Sequence, residues 1–188
     1  MSRIYAGIDE AGYGPMFGPL TIARAVFRLD GPHGESDSDP PSLWSVLRGG
    51  VCKKATDKRR RIAVDDSKKL YTPARGIDLL ERGVLSFLYT LNHQPTCVDE
   101  LLEALALDEE SRHSEMLWYT AADGGPALPL AHPSAQLALS AKALKRSAAK
   151  QQVELLDVNT AVVYEDRFNR IVDATRSKAR CEWAFIGK

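Results

Sequence analysis

"GIDEAGYGPMFGP" (residues 7–19) joins an apolar segment to a loop that is rich in glycine and proline. Two adjacent acids, Asp9 and Glu10, stand at the end of the apolar segment. Residues 4–9 and 20–29, on either side of the loop, have the composition and alternation of β-strands. Because a connection this short favours neighbouring antiparallel strands, we predict an antiparallel pair with both carboxylates at the end of its first strand.

The carboxylate pair has two interpretations. In the simpler one, the strand ends in a turn that leaves both acids in water. In the other, a hard divalent cation neutralises them, because Mg²⁺ prefers a few carboxylates together with water and substrate phosphate. Like charges at close range otherwise oppose each other's ionisation. Adjacent strand residues point to opposite faces, so a shared metal requires the strand to end or bulge at Asp9 and Glu10.

The residues that follow the acids argue against a dinucleotide-binding loop. Such a loop should open a helix after its strand, whereas Pro15 and Pro19 interrupt this one and a second β-type segment follows. The backbone at Gly12, Gly14 and Gly18 still allows a sugar-phosphate chain to approach closely, because no Cβ stands in its way.

The composition is that of one ordinary globular domain. The chain has 188 residues, of which 44% are hydrophobic, and a formal net charge of zero. We expect neither a secretory signal nor a membrane span, and zero net charge provides no global basic field for nucleic acid. Cys52, Cys97 and Cys181 are odd in number and far apart, which favours free thiols in a reducing compartment. The prediction is a cytoplasmic protein with no membrane partner.

Local charge is concentrated in residues 53–69, KKATDKRRRIAVDDSKK. Basic side chains dominate the first part of this run, and two acids and two lysines close it. Taken alone, a run of this kind is most often a solvated loop, and that interpretation is favoured here.

Helical periodicity dominates the chain after residue 72. Thr72-Pro73 is typical of a helix start, and we predict a helix over 73–91. Thr96 and Asp99 form a capping-box pattern that predicts a shorter helix to about residue 107. The remaining predicted elements are a helix over 136–150 with basic residues on one side, a strand over 153–163 and a helix over 164–186.

Two of these helices carry an apolar stripe that we expect to face a core. In the first helix the stripe consists of Ile77, Leu80, Val84, Phe87, Leu88 and Leu91. In the last helix it consists of Phe168, Ile171, Val172, Thr175, Ala179 and Trp183. Residues 108–136 lack sustained periodicity, so we interpret 93–150 as an insertion or small subdomain within a single domain of residues 1–188.

Two motifs together resemble the opening of a type 2 ribonuclease H, the ribonuclease HII family. GIDEAGYGP (7–15) is followed by Gly18-Pro19 and a strand, and DSKKL (66–70) precedes the first long helix. The pair in this order is specific, whereas either motif alone is weak. EDRFNRIVDAT (165–175) is similar to the segment that begins the family's second helix. The resemblance covers about 1–29, 62–92 and 152–186.

The resemblance implies an α/β, ribonuclease H-like fold. Its mixed sheet begins with three antiparallel strands, adds two parallel ones and is flanked by helices. The family's third metal-binding acid lies on the strand after the helix that ends here near Ile186, so the domain is expected to be incomplete at its C-terminus, without the parallel strands. The third and fourth acids stay unidentified, because Asp157, Asp166 and Asp173 match no catalytic position of the family.

The resemblance also implies hydrolysis of the RNA strand in an RNA/DNA hybrid, or in a duplex containing ribonucleotides, by two Mg²⁺ or Mn²⁺ ions. Asp9 and Glu10 match the family's first two catalytic, metal-binding acids. Asp66 and Ser67 have a structural alternative, since both residue types fix turns by bonding nearby backbone. The candidate substrate-binding residues are Gly12, Tyr13, Gly14, Ser67, Lys68 and Lys69, with the lysines as phosphate contacts.

Tyr13 departs from the family pattern. The family usually carries a basic residue between the two glycines, where it helps to sense the ribose 2′-hydroxyl. Tyrosine stacks or donates one hydrogen bond but supplies no positive charge. Tyr13 and the missing acids favour an alternative, a non-catalytic ribonuclease H-like module that binds nucleic acid or protein. The intact Asp9-Glu10 and DSKKL motifs favour the enzyme.

Overall fold

Residues 2–12, 18–33, 41–112, 119 and 125–186 are described by the computed structural model of the chain. These residues form a mixed α/β fold with a three-stranded antiparallel sheet and seven α-helices. The α/β class and the antiparallel three-strand start are therefore confirmed. The specific ribonuclease H-like architecture stays a prediction.

The three long strands lie where the sequence predicts them. They are β1 (Arg3–Ala11), β2 (Leu20–Leu29) and β5 (Val153–Val163), and their order across the sheet is β1-β2-β5. A separate parallel ladder, which the sequence did not predict, pairs β3 (Val51–Cys52) with β4 (Ile62–Ala63). The aliphatic side chains of this ladder are buried, so the charged run that surrounds β4 is anchored to a core.

The seven helices of the described residues are short or medium in length. They are α1 (Leu43–Val46), α2 (Ser67–Leu70), α3 (Asp78–Thr90), α4 (Val98–Leu105), α5 (Ser134–Lys150), α6 (Glu165–Thr175) and α7 (Lys178–Ile186). The predicted helix over 136–150 is confirmed as α5, and its lysines and arginine are exposed. Among the described residues, none of the helices combines the length and the apolar character needed to cross a membrane.

The predicted helix start at Thr72-Pro73 is wrong. Thr72 instead opens a tight turn, which the Gly76 N–H closes by donating to the Thr72 carbonyl oxygen at 2.8 Å. Gly76 has a φ of +64°, a left-handed conformation that a continuous right-handed helix excludes. The helix therefore begins after this glycine, at Asp78.

The buried face of α3 also differs from the predicted stripe. Val84 is exposed and Ile77 lies before the helix, also exposed, whereas Leu85 and Leu88 are buried. The helix packs against α5 and β4, and these two contacts select the face that carries Leu85 and Leu88. Periodicity indicates that one face is apolar but does not fix its rotation when apolar residues occur all around the helix.

The predicted final helix over 164–186 is two helices. Arg176 has a φ of +54° and ends α6 as its left-handed C-cap. The turn changes the rotation of the following helix, so Trp183 is 70% exposed and Ala179 is also exposed, against the prediction. Cys181 and Phe185 are the buried residues of α7.

Helix α4 confirms the shorter predicted helix but not its cap. The helix begins at Val98, with Cys97 in the N-cap position and no side-chain hydrogen bond to the first turn. The Thr96 carbonyl oxygen accepts a hydrogen bond from the Leu128 N–H at 2.8 Å. The N-cap is therefore one residue later than the capping-box interpretation of Thr96 and Asp99 predicts.

The chain divides into two compact units, each built from three segments. Unit one consists of Met1–Tyr5, Val26–Thr96 and Ala127–Leu156, and unit two of Ala6–Ala25, Cys97–Pro126 and Asp157–Lys188. Unit two has a core of Leu20, Ile22, Ala161, Val163, Cys181 and Phe185. In unit one, Cys52, Ala63 and Leu70 form a buried cluster.

Strand β2 buries different faces in its two halves. Leu20 and Ile22 belong to the core of unit two. Further along, Phe27 and Leu29 are buried, and the Phe27 ring meets Phe87 edge to face with 6.5 Å between centroids. Residues of one parity share a strand face, so the buried face changes between Ile22 and Phe27.

All three cysteines are free thiols, as predicted. Cys52 and Cys181 are buried and Cys97 is half-buried. Burial raises the pKa of the Cys181 thiol, and the neighbouring Arg167 guanidinium offsets part of that effect. Buried thiols of raised pKa are unreactive at neutral pH, which agrees with a packing role.

Candidate functional site

Asp9 and Glu10 are both exposed and lie within β1, which continues to Ala11. The strand thus ends two residues later than predicted, and the acids do not close it. The Glu10 N–H donates a hydrogen bond to Asp9 Oδ1 at 3.0 Å, so the Asp9 carboxylate turns toward its own backbone. Adjacent residues of a regular strand project to opposite faces, and their like charges are thereby kept apart.

The acid pair fits a hard cation in the type of donor that it supplies. Carboxylate oxygens are what Mg²⁺ takes from proteins, often only one or two of them, with water and substrate phosphate completing the shell. Within residues 2–12, 18–33, 41–112, 119 and 125–186, no group of three or more His, Cys, Asp or Glu side chains is placed to hold a metal. Within this part of the chain, no third side chain of these types therefore joins Asp9 and Glu10.

The loop after β1 requires glycine at Gly12. Its φ is +83°, and a Cβ at this position would lie 2.5 Å from the Pro19 carbonyl oxygen. Gly18, at the other end of the loop, has a φ of +97°. The positive φ at each end of the loop therefore explains why glycine occurs at both positions. Tyr13 and Gly14 lie outside the described residues.

Glu165 holds the end of this loop, a role that the sequence did not indicate. Its Oε1 accepts hydrogen bonds from the Gly18 N–H at 3.2 Å and from the Tyr119 hydroxyl at 2.9 Å. The Tyr119 ring packs on Tyr164 with 4.9 Å between centroids, and burial raises the pKa of Tyr164. Glu165 is the first residue of α6, where the helix dipole favours a carboxylate. An acid at the start of a predicted helix could indicate a carboxylate that favours the helix dipole, but nothing in the sequence indicates its contact with Gly18.

The second motif, DSKKL, forms the short helix α2. Asp66 is its N-cap, and its Oδ1 accepts a hydrogen bond from the Lys68 N–H at 2.9 Å. The predicted structural role of Asp66 is therefore confirmed. The preceding Asp65 accepts a hydrogen bond from the Asp66 N–H and another from Lys69 Nζ, and together these lower the pKa of the Asp65 carboxyl.

Ser67, Lys68 and Lys69 are exposed on α2. The Lys69 side chain is 65% exposed even though its Nζ lies 3.1 Å from Asp65 Oδ1. Exposed ammonium groups of this kind suit phosphate oxygens, which take point charges without fixed geometry.

The interpretation of the charged run as a solvated loop is wrong for part of it. Asp57 and Arg61 form a two-point contact, with Oδ2 to Nε at 3.1 Å and Oδ1 to Nη2 at 2.8 Å. Arg61 also donates to the Arg48 carbonyl oxygen at 3.0 Å. The hydrogen bonds from Arg61 lower the pKa of Asp57 to about 2. Lys58, Arg59 and Arg60 between them are exposed.

The two motifs belong to different units. Asp9, Glu10 and Gly12 lie in unit two, whereas DSKKL lies in unit one. No family model, curated protein or solved structure matches the chain. A functional assignment must therefore be argued from the motifs and from their local geometry.

Proposed function

We propose that this protein is a ribonuclease HII-like endonuclease that hydrolyses the RNA strand of RNA/DNA hybrids with Mg²⁺ or Mn²⁺. One observation carries the proposal: two adjacent exposed carboxylates, Asp9 and Glu10, precede a loop whose backbone at position 12 accepts only glycine. The DSKKL motif, later in the chain and before α3, completes the order found in the family.

Each motif has a stated task in this proposal. Asp9 and Glu10 would supply oxygen ligands for a divalent ion, which requires β1 to bend at these residues so that both carboxylates reach it, and the ion would contribute Lewis acidity and an activated water. The Cβ-free backbone at Gly12 lets the sugar-phosphate chain come close. Lys68 and Lys69 contribute sequence-independent affinity for phosphates. Asp66 holds α2, the helix that presents both lysines.

A second candidate is a non-catalytic ribonuclease H-like module that binds nucleic acid. One finding favours it: within the described part of the chain, no third metal-binding side chain joins Asp9 and Glu10. Tyr13 in place of a basic residue points in the same direction. Binding without cleavage separates this candidate from the enzyme.

The test is cleavage of a labelled RNA/DNA hybrid with Mg²⁺ or Mn²⁺, run beside an EDTA control and a DNA duplex of the same sequence. Three proteins are compared: the unchanged chain, Asp9→Asn and the matched control Asp173→Asn, which changes an exposed acid on α6. The enzyme predicts metal-dependent cutting that Asp9→Asn abolishes and Asp173→Asn retains. Binding without cutting supports the second candidate or a nuclease that is inactive without further metal-binding acids, and absence of both binding and cutting overturns both.

A further inference from the structure

The two compact units carry net charges of opposite sign. The sequence of unit one contains 17 lysines and arginines and 10 aspartates and glutamates, a formal net charge of +7. The sequence of unit two contains 8 lysines and arginines and 15 aspartates and glutamates, a formal net charge of −7. A strong excess of one sign in part of a neutral chain indicates a partner of the opposite sign. The charge of unit one therefore suits a polyanion.

One turn of unit one presents three consecutive basic side chains to solvent. Lys58, Arg59 and Arg60, together called the basic turn, are all exposed. Within the part of the chain that the structure describes, none of the three forms an ion pair with a carboxylate. The acid nearest in sequence, Asp57, is engaged at both carboxylate oxygens by Arg61. The three cations therefore repel one another without compensation, which a polyanion would supply.

The backbone of the basic turn is held in place from both sides. The Arg60 N–H donates to the Asp57 carbonyl oxygen at 3.1 Å, and the Arg61 N–H donates to Asp57 Oδ2 at 3.0 Å. The Arg60 carbonyl oxygen accepts a hydrogen bond from Arg82 Nη2 on α3, and the same nitrogen lies 3.2 Å from Ser140 Oγ on α5. A backbone fixed in advance lowers the entropy that a ligand must overcome when it orders the side chains.

Arg60 has a backbone conformation that favours glycine. Its φ is +55°, in the left-handed region that residues with a Cβ adopt at a cost. Such conformations occur mainly at functional sites, where the surrounding structure maintains them. The guanidinium of Arg60 is exposed and contributes no packing, so its position favours a binding role for this side chain.

We propose that the basic turn binds the sugar-phosphate backbone of nucleic acid. The inference rests on the proposed function only for the class of partner, and it requires no cleavage. Lysine and arginine on phosphate give affinity for any sequence, because binding releases counterions from the backbone. Segments that bind a membrane surface instead combine basic with large apolar side chains. Residues 53–61, KKATDKRRR, contain no large apolar side chain, which favours nucleic acid over an anionic membrane.

Fluorescence anisotropy with a labelled RNA/DNA hybrid in EDTA measures binding without cutting. Lys58→Gln/Arg59→Gln/Arg60→Gln should weaken binding about tenfold or more at about 100 mM salt and reduce the slope of log affinity against log salt by about 2–3, because three phosphate contacts are lost. The matched control, Lys142→Gln/Arg146→Gln/Lys150→Gln, removes three exposed charges from α5 of the same unit. It should change the slope by less than about 1.

Arg60→Gly separates binding from folding. Glycine suits the left-handed backbone and removes the guanidinium, so the affinity for the hybrid should fall about threefold or more while the urea midpoint does not fall. An affinity equal to that of the unchanged chain would overturn the role of Arg60 and with it the proposal.

Three further outcomes would overturn the proposal: equal losses from the two triple variants, an unchanged affinity of the basic-turn variant, or binding of the unchanged chain to phosphatidylserine vesicles but not to the hybrid. The cleavage test stays separate from these outcomes. If the unchanged chain cuts the hybrid and the basic-turn variant binds as tightly, this proposal alone fails. If the unchanged chain binds through the basic turn without cutting, the proposal stands and the nuclease activity of the chain alone fails.

Discussion

At the scale of single residues, the backbone conformation of Gly12, in the loop after β1, can be tested by a substitution that adds a single Cβ. Gly12→Ala would force a Cβ to within 2.5 Å of the Pro19 carbonyl oxygen at a φ of +83°. We expect the free energy of unfolding to fall by about 1–3 kcal/mol, because the backbone must move to relieve both the contact and the strain. Urea unfolding followed by circular dichroism measures the change.

Gly7→Ala is the matched control for this substitution. Gly7 lies in the same strand-and-loop region, but a Cβ there has no atom within 4 Å. Its effect should stay within about 0.5 kcal/mol, as for other exposed sites. Equal losses from the two substitutions would contradict a specific role for the Gly12 conformation.

Asp57 gives a prediction for the pH dependence of stability. Hydrogen bonds from Arg61 lower its pKa to about 2, below the ordinary value of 3.8. The unfolded chain therefore takes up this proton at a higher pH than the folded one, so the contribution of Asp57 is complete above pH 4 and disappears as the pH falls toward 2. We expect Asp57→Asn to lower the urea midpoint at pH 7 and at pH 5, and the difference from the unchanged chain to shrink at pH 2.5.

Arg61→Lys tests the cause of that shift. Lysine keeps the positive charge but loses the planar fork that meets both Asp57 oxygens and the contact with the Arg48 carbonyl oxygen. The variant should lose stability at pH 7 in the same direction as Asp57→Asn. If Arg61→Lys matched the unchanged chain at all three pH values, charge alone would be responsible for the lowered pKa.

At the scale of elements, Arg167 joins α6 to residues 108–110 of the same unit. The residue is 8% exposed, and its guanidinium contacts both Asp108 oxygens, Oδ1 at 3.0 Å and Oδ2 at 2.9 Å. It also contacts Glu110 and lies 4.6 Å from the centre of the Phe185 ring. Arg167→Ala removes both guanidinium hydrogen bonds to Asp108, which keeps those from the Ser111 N–H and hydroxyl, and it also removes packing, so we expect a loss of about 2–4 kcal/mol in urea unfolding.

Arg170→Ala, one turn further along α6, is the control for that loss. Arg170 is half-exposed, pairs with Asp166 at 3.3 Å and lies 3.9 Å from Glu110, which Arg167 also contacts. Pairs of this kind contribute about 0.5 kcal/mol or less. A similar cost at both positions would mean that Arg167 acts through general helix stability rather than through its buried contacts.

The sequence predicted the type and position of helices and strands better than it predicted which face of each helix is buried. Alternation and β-branched composition located β1, β2 and β5, because strands depend on a local two-residue repeat. The breaks at Gly76 and Arg176 were missed, since a positive φ at a single residue leaves no periodic signal. The sequence also did not predict that Val84 and Trp183 are exposed, because the contacts of each helix within its own unit decide which side of the helix is buried.

At the scale of the whole molecule, the candidate site follows the same division between local and long-range information. Adjacent acids, the glycine loop and the N-cap of α2 are encoded within a few residues, and each could be predicted from its motif. The hydrogen bond from the Gly18 N–H to Glu165 joins residues that are 147 positions apart, and no local pattern encodes it. Both units are built from three separate segments, so contacts of this kind hold each of them together.

The salt dependence of hybrid binding distinguishes local positive charge from the net charge of the whole molecule. The net charge is zero, so attraction to phosphate must come from local groups such as Lys68 and Lys69 rather than from a global field. Lys68→Gln/Lys69→Gln should weaken binding of hybrids of any sequence and reduce the slope of log affinity against log salt by about 1.5–2, because each lost phosphate contact removes about 0.9. Fluorescence anisotropy between about 50 and 200 mM salt spans the range in which such contacts change affinity steeply. Lys142→Gln/Lys150→Gln, which removes two exposed charges from α5, is the matched control. An equal fall in slope for both double variants would assign the effect to net charge and remove α2 from the binding surface.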